Sequence, residues 1–362
     1  MGNNSEYFSE IVYLRAIAIL AVISIHVSAY FTEMDRINFL TLLYMSIDTF
    51  SHFAVPLFVC ISGFVLYNKY QGSYSLKIFY KKRFLSVVPQ YTIFSILAIS
   101  FLYAGTIYLG KVWNHNVIGI IYQYLSGTVF YHLWFFVLIT QLYILYPILE
   151  KVFTKSVENY NTLALLIFLL IVQILYQIFS IDKIFGNATL FLAYIFYFVL
   201  GMYVRFYYLN YKKMVMTFKP SYIFYFLLLS ATILGICSIE FFRNGLTSQL
   251  IYFCYGIFAI VTPFYYFLIF GLCLYCALKI SEMIPNMNTK GLQIIGRYSF
   301  GIYLIHAFIL TALRTILSKV GFNINNWLFY PVVYILVLSM SLVFIYILNK
   351  VPYHEYIIGS SR

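Results

Sequence analysis

Apolar runs of about twenty residues, set apart by short polar stretches, recur along the whole chain. A helical run of that length spans the hydrocarbon core of a bilayer. The pattern predicts ten transmembrane helices, at about 11–31, 45–67, 84–103, 133–149, 162–179, 189–208, 222–239, 255–278, 291–313 and 327–348. A membrane barrel would instead alternate apolar and polar positions over segments of about ten residues. The predicted fold is therefore all-α, a polytopic membrane helical bundle forming one domain over residues 1–362, with a short segment 1–10 before the first span and a tail 350–362 after the last. Ten crossings return both termini to one side.

The interruptions are informative too. The connection 68–83 carries Lys69, Lys77, Lys81, Lys82 and Arg83, the densest basic cluster in the chain, and reads as a loop. Residues 104–131 are mixed and read as an external loop holding a short interfacial or re-entrant helix at about 117–130. Pro56 and Gly63 should bend or loosen the second span, which neighbouring helices make tolerable.

Composition strengthens this picture. The chain is 63% hydrophobic and 22% aromatic, with only 9% charged residues, against about 25% charged in globular domains. The net charge of +12 lies in short clusters between apolar runs, with no continuous basic face, so it encodes topology rather than nucleic-acid binding. Fifteen lysines and arginines fall in the segments on the side of the termini and six on the other, which places both termini in the cytoplasm. The start of the chain lacks a secretory basic region, and the first run reads as a retained span. All five cysteines lie in or beside spans, so no disulfide framework is indicated, and the lone pair Cys273 and Cys276 reads as packing rather than a metal site.

The first span holds two ionisable residues, Arg15 and His26. Eleven positions apart, at about 100° and 1.5 Å per residue, they fall on one helix face roughly 16 Å apart. Arg15 then sits near the inner surface and His26 in the outer half. One stripe thus offers a cation at the inner face and an imidazole far across, an arrangement suited to chemistry conducted through the membrane. The structural alternative has Arg15 snorkelling to the interface and His26 hydrogen-bonded between helices. Asp48 and His52, four apart, can meet on a single helix face.

Five stretches in order resemble the acyltransferase 3 family of integral membrane enzymes. In LRAIAILAVISIHV, Arg15 and His26 match the family's Arg-x10-His signature; VPLFVCISGFVLY is similar to its segment ending in Ser-Gly-Phe, here Ser62, Gly63 and Phe64. FYKKRFLSVVPQY looks like its basic entry to the third helix, and YHLWFFVLITQLYILYPIL and GRYSFGIYLIHAFIL look like its later landmarks. One departure stands out: many members carry Arg-x-x-Arg in the basic segment, whereas here Arg83 is followed three residues later by Ser86.

The resemblance implies an acyl-CoA donor, acetyl or succinyl, used as substrate with no tightly bound cofactor or metal, and an acceptor hydroxyl on a surface polysaccharide or envelope glycan. It places the chain as a multi-pass protein of a bacterial plasma membrane, among membrane lipids and polysaccharide-synthesis machinery, with no nucleic-acid partner. Donor phosphates suit Arg15, Lys81, Lys82 and Arg83; without the resemblance the last three read as topology signals. His26 suits proton abstraction from a hydroxyl, or transient acylation of its own ring. Asp48 is the candidate orienting partner of His26, or else a local partner of His52. Ser62 reads as a donor to the thioester oxygen, or as a small packing residue beside Gly63. His306 reads as structural or gate-lining. An exporter of an exopolysaccharide or lipid-linked sugar is the reading from another class, although no inverted repeat supports it.

Overall fold

The computed structural model describes residues 7–34, 38–108, 116–179, 190–217, 219, 221, 224–228, 248–283 and 290–359. No strand occurs among them. In chain order the helices are α1 Ser9–Ser28, continued by a 3-10 turn Ala29–Glu33, α2 Phe39–Ser51, α3 Ala54–Tyr70, α4 Leu76–Leu85 and α5 Val88–Tyr108. There follow α6 Val117–Ser126, α7 Trp134–Glu158, α8 Thr162–Ile178, a 3-10 turn Phe191–Ala193, α9 Ile195–Phe206 and α10 Tyr208–Thr217. The last are α11 Ser248–Met283, α12 Lys290–Arg297, α13 Ser299–Lys319, α14 Phe329–Leu348 and α15 Glu355–Ile358.

Among the described residues, seven stretches are long and apolar enough to cross a membrane: Ser9–Phe31, Phe39–Tyr70, Leu76–Thr106, Trp134–Glu158, Gly256–Glu282, Ser299–Lys319 and Phe329–Leu348. The protein is a helical membrane bundle. Two further predicted spans, at 162–179 and 189–208, correspond to shorter apolar helices, Thr162–Ile178 and Ile195–Phe206. At about 1.5 Å per residue, α9 reaches only about 18 Å. The span predicted at 222–239 lies outside the described residues except for 224–228.

Three predicted spans are divided. The second breaks between α2 and α3 at His52 and Phe53, and Pro56, which has no N–H, sits in the first turn of the new helix. Pro89 acts likewise at the start of α5. The basic stretch ahead of it is not a loop: Ser75 caps α4, its Oγ accepting from the Ile78 N–H at 3.5 Å, and Lys77, Lys81, Lys82 and Arg83 ride on that helix. The ninth span divides at Tyr298 into α12 and α13. The interfacial helix expected at 117–130 is α6, capped by Asn116, which accepts from the Gly119 N–H at 2.7 Å, and closed at Gly127, where φ is +76°. That left-handed cap ends it at Ser126.

The chain forms two compact units, Met1–Lys69 with Tyr197–Phe344, and Tyr70–Phe196 with Ile345–Arg362. In the first, α1 is the central post. Its apolar residues run round the whole helix, so it is buried on nearly every side, Ala16, Ala18 and Ala21 included. Small residues let neighbours approach, and the neighbours are fixed by specific contacts. A Cβ on Gly296 would lie 2.0 Å from the Val12 carbonyl oxygen, so α12 touches α1 backbone to backbone. Tyr330 donates to Ser24 and Tyr334 to the Leu20 carbonyl, both at 3.1 Å, tying α14 antiparallel to α1. At the far end Arg314 pairs with Glu33 and lies 4.1 Å from the centre of the Tyr30 ring. Both ionic partners are well exposed, at 39% and 46%, so screening limits the pair to about 0.2–1 kcal/mol. Arg314→Gln should therefore leave the thermal midpoint within a few degrees of the unaltered protein.

In the second unit α4 packs on α7. Phe79, fully buried, stacks on Tyr146 at 5.3 Å, and Tyr80 donates to the Ile144 carbonyl at 3.1 Å. The Gln90 amide donates to the Glu355 carbonyl at 3.0 Å, joining α5 to α15.

Candidate functional site

An unbroken α1 carries Arg15 and His26, and the helix geometry keeps them on one face as the spacing predicts. Both are half-buried. The imidazole of His26 does not stand alone. Helix α13 runs parallel to α1 and brings His306 beside it, with ring centroids 5.1 Å apart and planes tilted by 33°. His306 is fully buried, and Tyr303 lies against its ring at 5.6 Å.

The backbone of α13 settles how His306 is protonated. Its Nδ1 lies 2.7 Å from the Tyr303 carbonyl oxygen and 3.2 Å from that of Ile302. Carbonyl oxygens only accept, so Nδ1 holds the proton. In the neutral ring Nε2 is then the lone-pair nitrogen.

Asp48 occupies a different environment from the one expected for an orienting partner of His26. One carboxylate oxygen stands 3.4 Å from His52 Nδ1, and that nitrogen also donates to the Asp48 carbonyl at 2.7 Å. The other carboxylate oxygen lies 3.4 Å from the Ser28 hydroxyl, which has its shorter contact, 2.7 Å, with the Ser24 carbonyl. A serine has one proton to give, and the shorter geometry takes it. Asp48 is thus chiefly the local partner of His52, the alternative that the spacing left open.

Ser62 donates its hydroxyl to the Phe58 carbonyl at 2.8 Å, within its own helix. The residue beside it is at a helix crossing: a Cβ on Gly63 would lie 2.0 Å from the Phe198 carbonyl oxygen, and one on Gly201 would lie 1.9 Å from that of Cys60. Each glycine faces the carbonyl three residues before the other. An apolar cleft bordered by Phe53, Cys60, Tyr197, Leu200 and Phe267 lies in the same unit.

Arg15 and His26 belong to the first unit, and Lys81, Lys82 and Arg83 to the second. The three cations of α4 are not equivalent. Lys81 and Lys82 are exposed, whereas Arg83 turns inward, its guanidinium carbon 5.7 Å from the ring centres of both Tyr70 and Tyr143. Nearby, the half-buried Tyr74 phenol is pushed up to about 12 by partial burial, and secondarily by Glu150. Two aromatic faces need the flat, delocalised charge of arginine. Arg83→Lys should lower stability by about 1 kcal/mol, while Lys81→Ala leaves it unchanged, as thermal unfolding in detergent would report.

The family model Acyl_transf_3, described as an acyltransferase domain, matches residues 8–346, nearly the whole chain. The chain belongs to this acyltransferase family. No curated protein and no solved structure matches it. As a membrane acyltransferase of this family, the protein carries Arg15 and His26 on one uninterrupted helix. The residue that sequence reasoning undervalued is His306. Its signal was present, an ionisable side chain in the middle of an apolar span, but nothing local showed that it meets His26.

Proposed function

We propose that the protein transfers an acyl group, of acetyl or succinyl type, from cytoplasmic acyl-CoA to a hydroxyl of a polysaccharide or other glycan of the cell envelope. The protein would lie in the plasma membrane with both termini inside, so that α1 enters from the cytoplasm. Arg15 then stands toward the phosphates of the donor, and His26 toward the outer half of the bilayer. The observation that carries the reading is the single face of α1 on which both residues stand, in a chain of the acyltransferase family.

In this reaction the acceptor oxygen bonds to the acyl carbon, the carbon–sulfur bond breaks, and coenzyme A leaves as a thiol. His26 takes the hydroxyl proton as general base, or accepts the acyl group on its ring and passes it on. Lys81 and Lys82, exposed on α4, add positive charge that favours an anionic donor.

The test uses the full chain in nanodiscs, acetyl-CoA labelled in the acetyl group, and envelope polysaccharide stripped of esters by mild alkali. Label should appear on the glycan as an alkali-labile ester, be lost with His26→Ala and persist with His354→Ala. Absence of transfer by the unaltered chain, or full transfer by His26→Ala, would overturn the reading.

A further inference from the structure

We infer that His306 is the positioning residue of the reacting imidazole: in the reacting state its buried Nε2 lone pair takes one N–H of His26 as a hydrogen bond while the opposite nitrogen of His26 takes the acceptor proton. The inference rests on the reading of His26 given above and adds a partner to it from another helix.

Two observations place His306 in that role. Its ring lies alongside His26 at 5.1 Å, in the fully buried middle of α13. Two backbone carbonyls of its own helix, at 2.7 and 3.2 Å, fix the proton on Nδ1 and so define Nε2 as an acceptor. A hydrogen bond on one ring nitrogen sets the tautomer of an imidazole and raises the basicity of the other nitrogen. Asp48, the expected orienting partner, is turned to His52 instead.

The acceptor oxygen attacks the thioester carbon and its proton passes to one ring nitrogen of His26. The positive charge spreads to the other N–H, which His306 Nε2 accepts as a hydrogen bond. As the carbon–sulfur bond breaks, His26 gives its proton to the departing sulfur. His306 gains no proton at any stage.

Three substitutions separate positioning from packing. Asparagine at 306 keeps a donor near Nδ1 but has no acceptor where Nε2 stands; glutamine places an amide oxygen there; alanine removes both. With acetyl-CoA and alkali-treated envelope polysaccharide, His306→Asn and His306→Ala should lower kcat by about 10–100-fold with KM for acetyl-CoA little changed. His306→Gln should restore kcat to within about fivefold of the unaltered protein. Equal rates for the asparagine and glutamine variants, or an asparagine variant as fast as the unaltered protein, would overturn the inference and leave the role of His26 standing; full activity of His26→Ala would remove the reading beneath it. A second measurement needs no variant to fold: in protein labelled with 15N-histidine, the His306 signals should show Nδ1 protonated and Nε2 unprotonated at neutral pH. The opposite tautomer would overturn it.

Discussion

Gly201→Val should abolish the folded protein, and Gly63→Val should do the same. The two glycines are a reciprocal pair: each puts its Cα where a Cβ would fall about 2 Å from a carbonyl oxygen of the other helix, 1.9 Å to Cys60 and 2.0 Å to Phe198. Real Cβ atoms essentially never come within 3.0 Å of such an atom, so even alanine requires α3 and α9 to separate by on the order of 1 Å. The atoms in the way are backbone, which cannot swing aside as a side chain would. Separation also removes the close Cα–H to carbonyl contacts that such a crossing permits, and a membrane interior offers no hydrophobic drive between helices to replace them. Overpacking alone costs about 1–3 kcal/mol per site, and valine adds clash and lost contact to that. Each variant should run as aggregate on size exclusion in detergent. The double variant should cost less than the two single costs combined, because the first substitution already opens the crossing that the second would clash in. Gly105→Ala is the matched control: it lies on α5 with nothing within 4 Å of its Cβ position, and should be neutral or stabilise by roughly 0.5–1 kcal/mol. A Gly201→Val protein that is monodisperse and melts with the unaltered chain would show that this crossing is not needed.

The same crossing shows what the sequence could and could not disclose. The helices themselves were legible, since a bilayer span is written in about twenty consecutive residues and α1, α7, α13 and α14 follow from composition alone. Breaks inside a span were harder. Pro56 and Pro89 announced trouble, but whether a proline bends a helix or starts a new one depends on which neighbours hold the freed carbonyls. The basic stretch before Arg83 read as a loop because its charges hide the turn of helix on which Phe79 is buried. The site was half legible. The Arg15 and His26 stripe is local, a matter of eleven positions on one helix. Its partner is not: His306 is 280 positions away, and only the packing of α13 on α1 brings the two rings together. Asp48 drew attention because it falls in the outer half of the second predicted span, close in sequence to His52, and its carboxylate stands 3.4 Å from His52 Nδ1.

His26→Gln should lower kcat by about 10²–10⁴-fold in a protein that remains folded, the usual contribution of a general base. The fold should survive because His26 is half-buried near the end of α1, where glutamine matches its volume, whereas the buried residues that hold the helix, Leu14, Ile19 and Ile23, are untouched. The KM for acetyl-CoA should change little, since the proposed function puts the donor's phosphates toward Arg15, three turns of helix away. Arg15→Ala should show the reverse, a KM raised by about tenfold or more with kcat retained at saturation, as expected when binding common to ground and transition states is lost. Two substitutions on one helix face would then separate grip from chemistry. The same preparation distinguishes the two roles open to the imidazole. If His26 carries the acyl group, mixing protein with labelled acetyl-CoA in the absence of acceptor should release one burst of coenzyme A per chain and leave label on the protein. If it is a base, coenzyme A should appear only when acceptor is present, at the rate of glycan acetylation. A His26→Gln protein that retains more than about a tenth of the unaltered kcat would exclude both roles, whatever the burst shows.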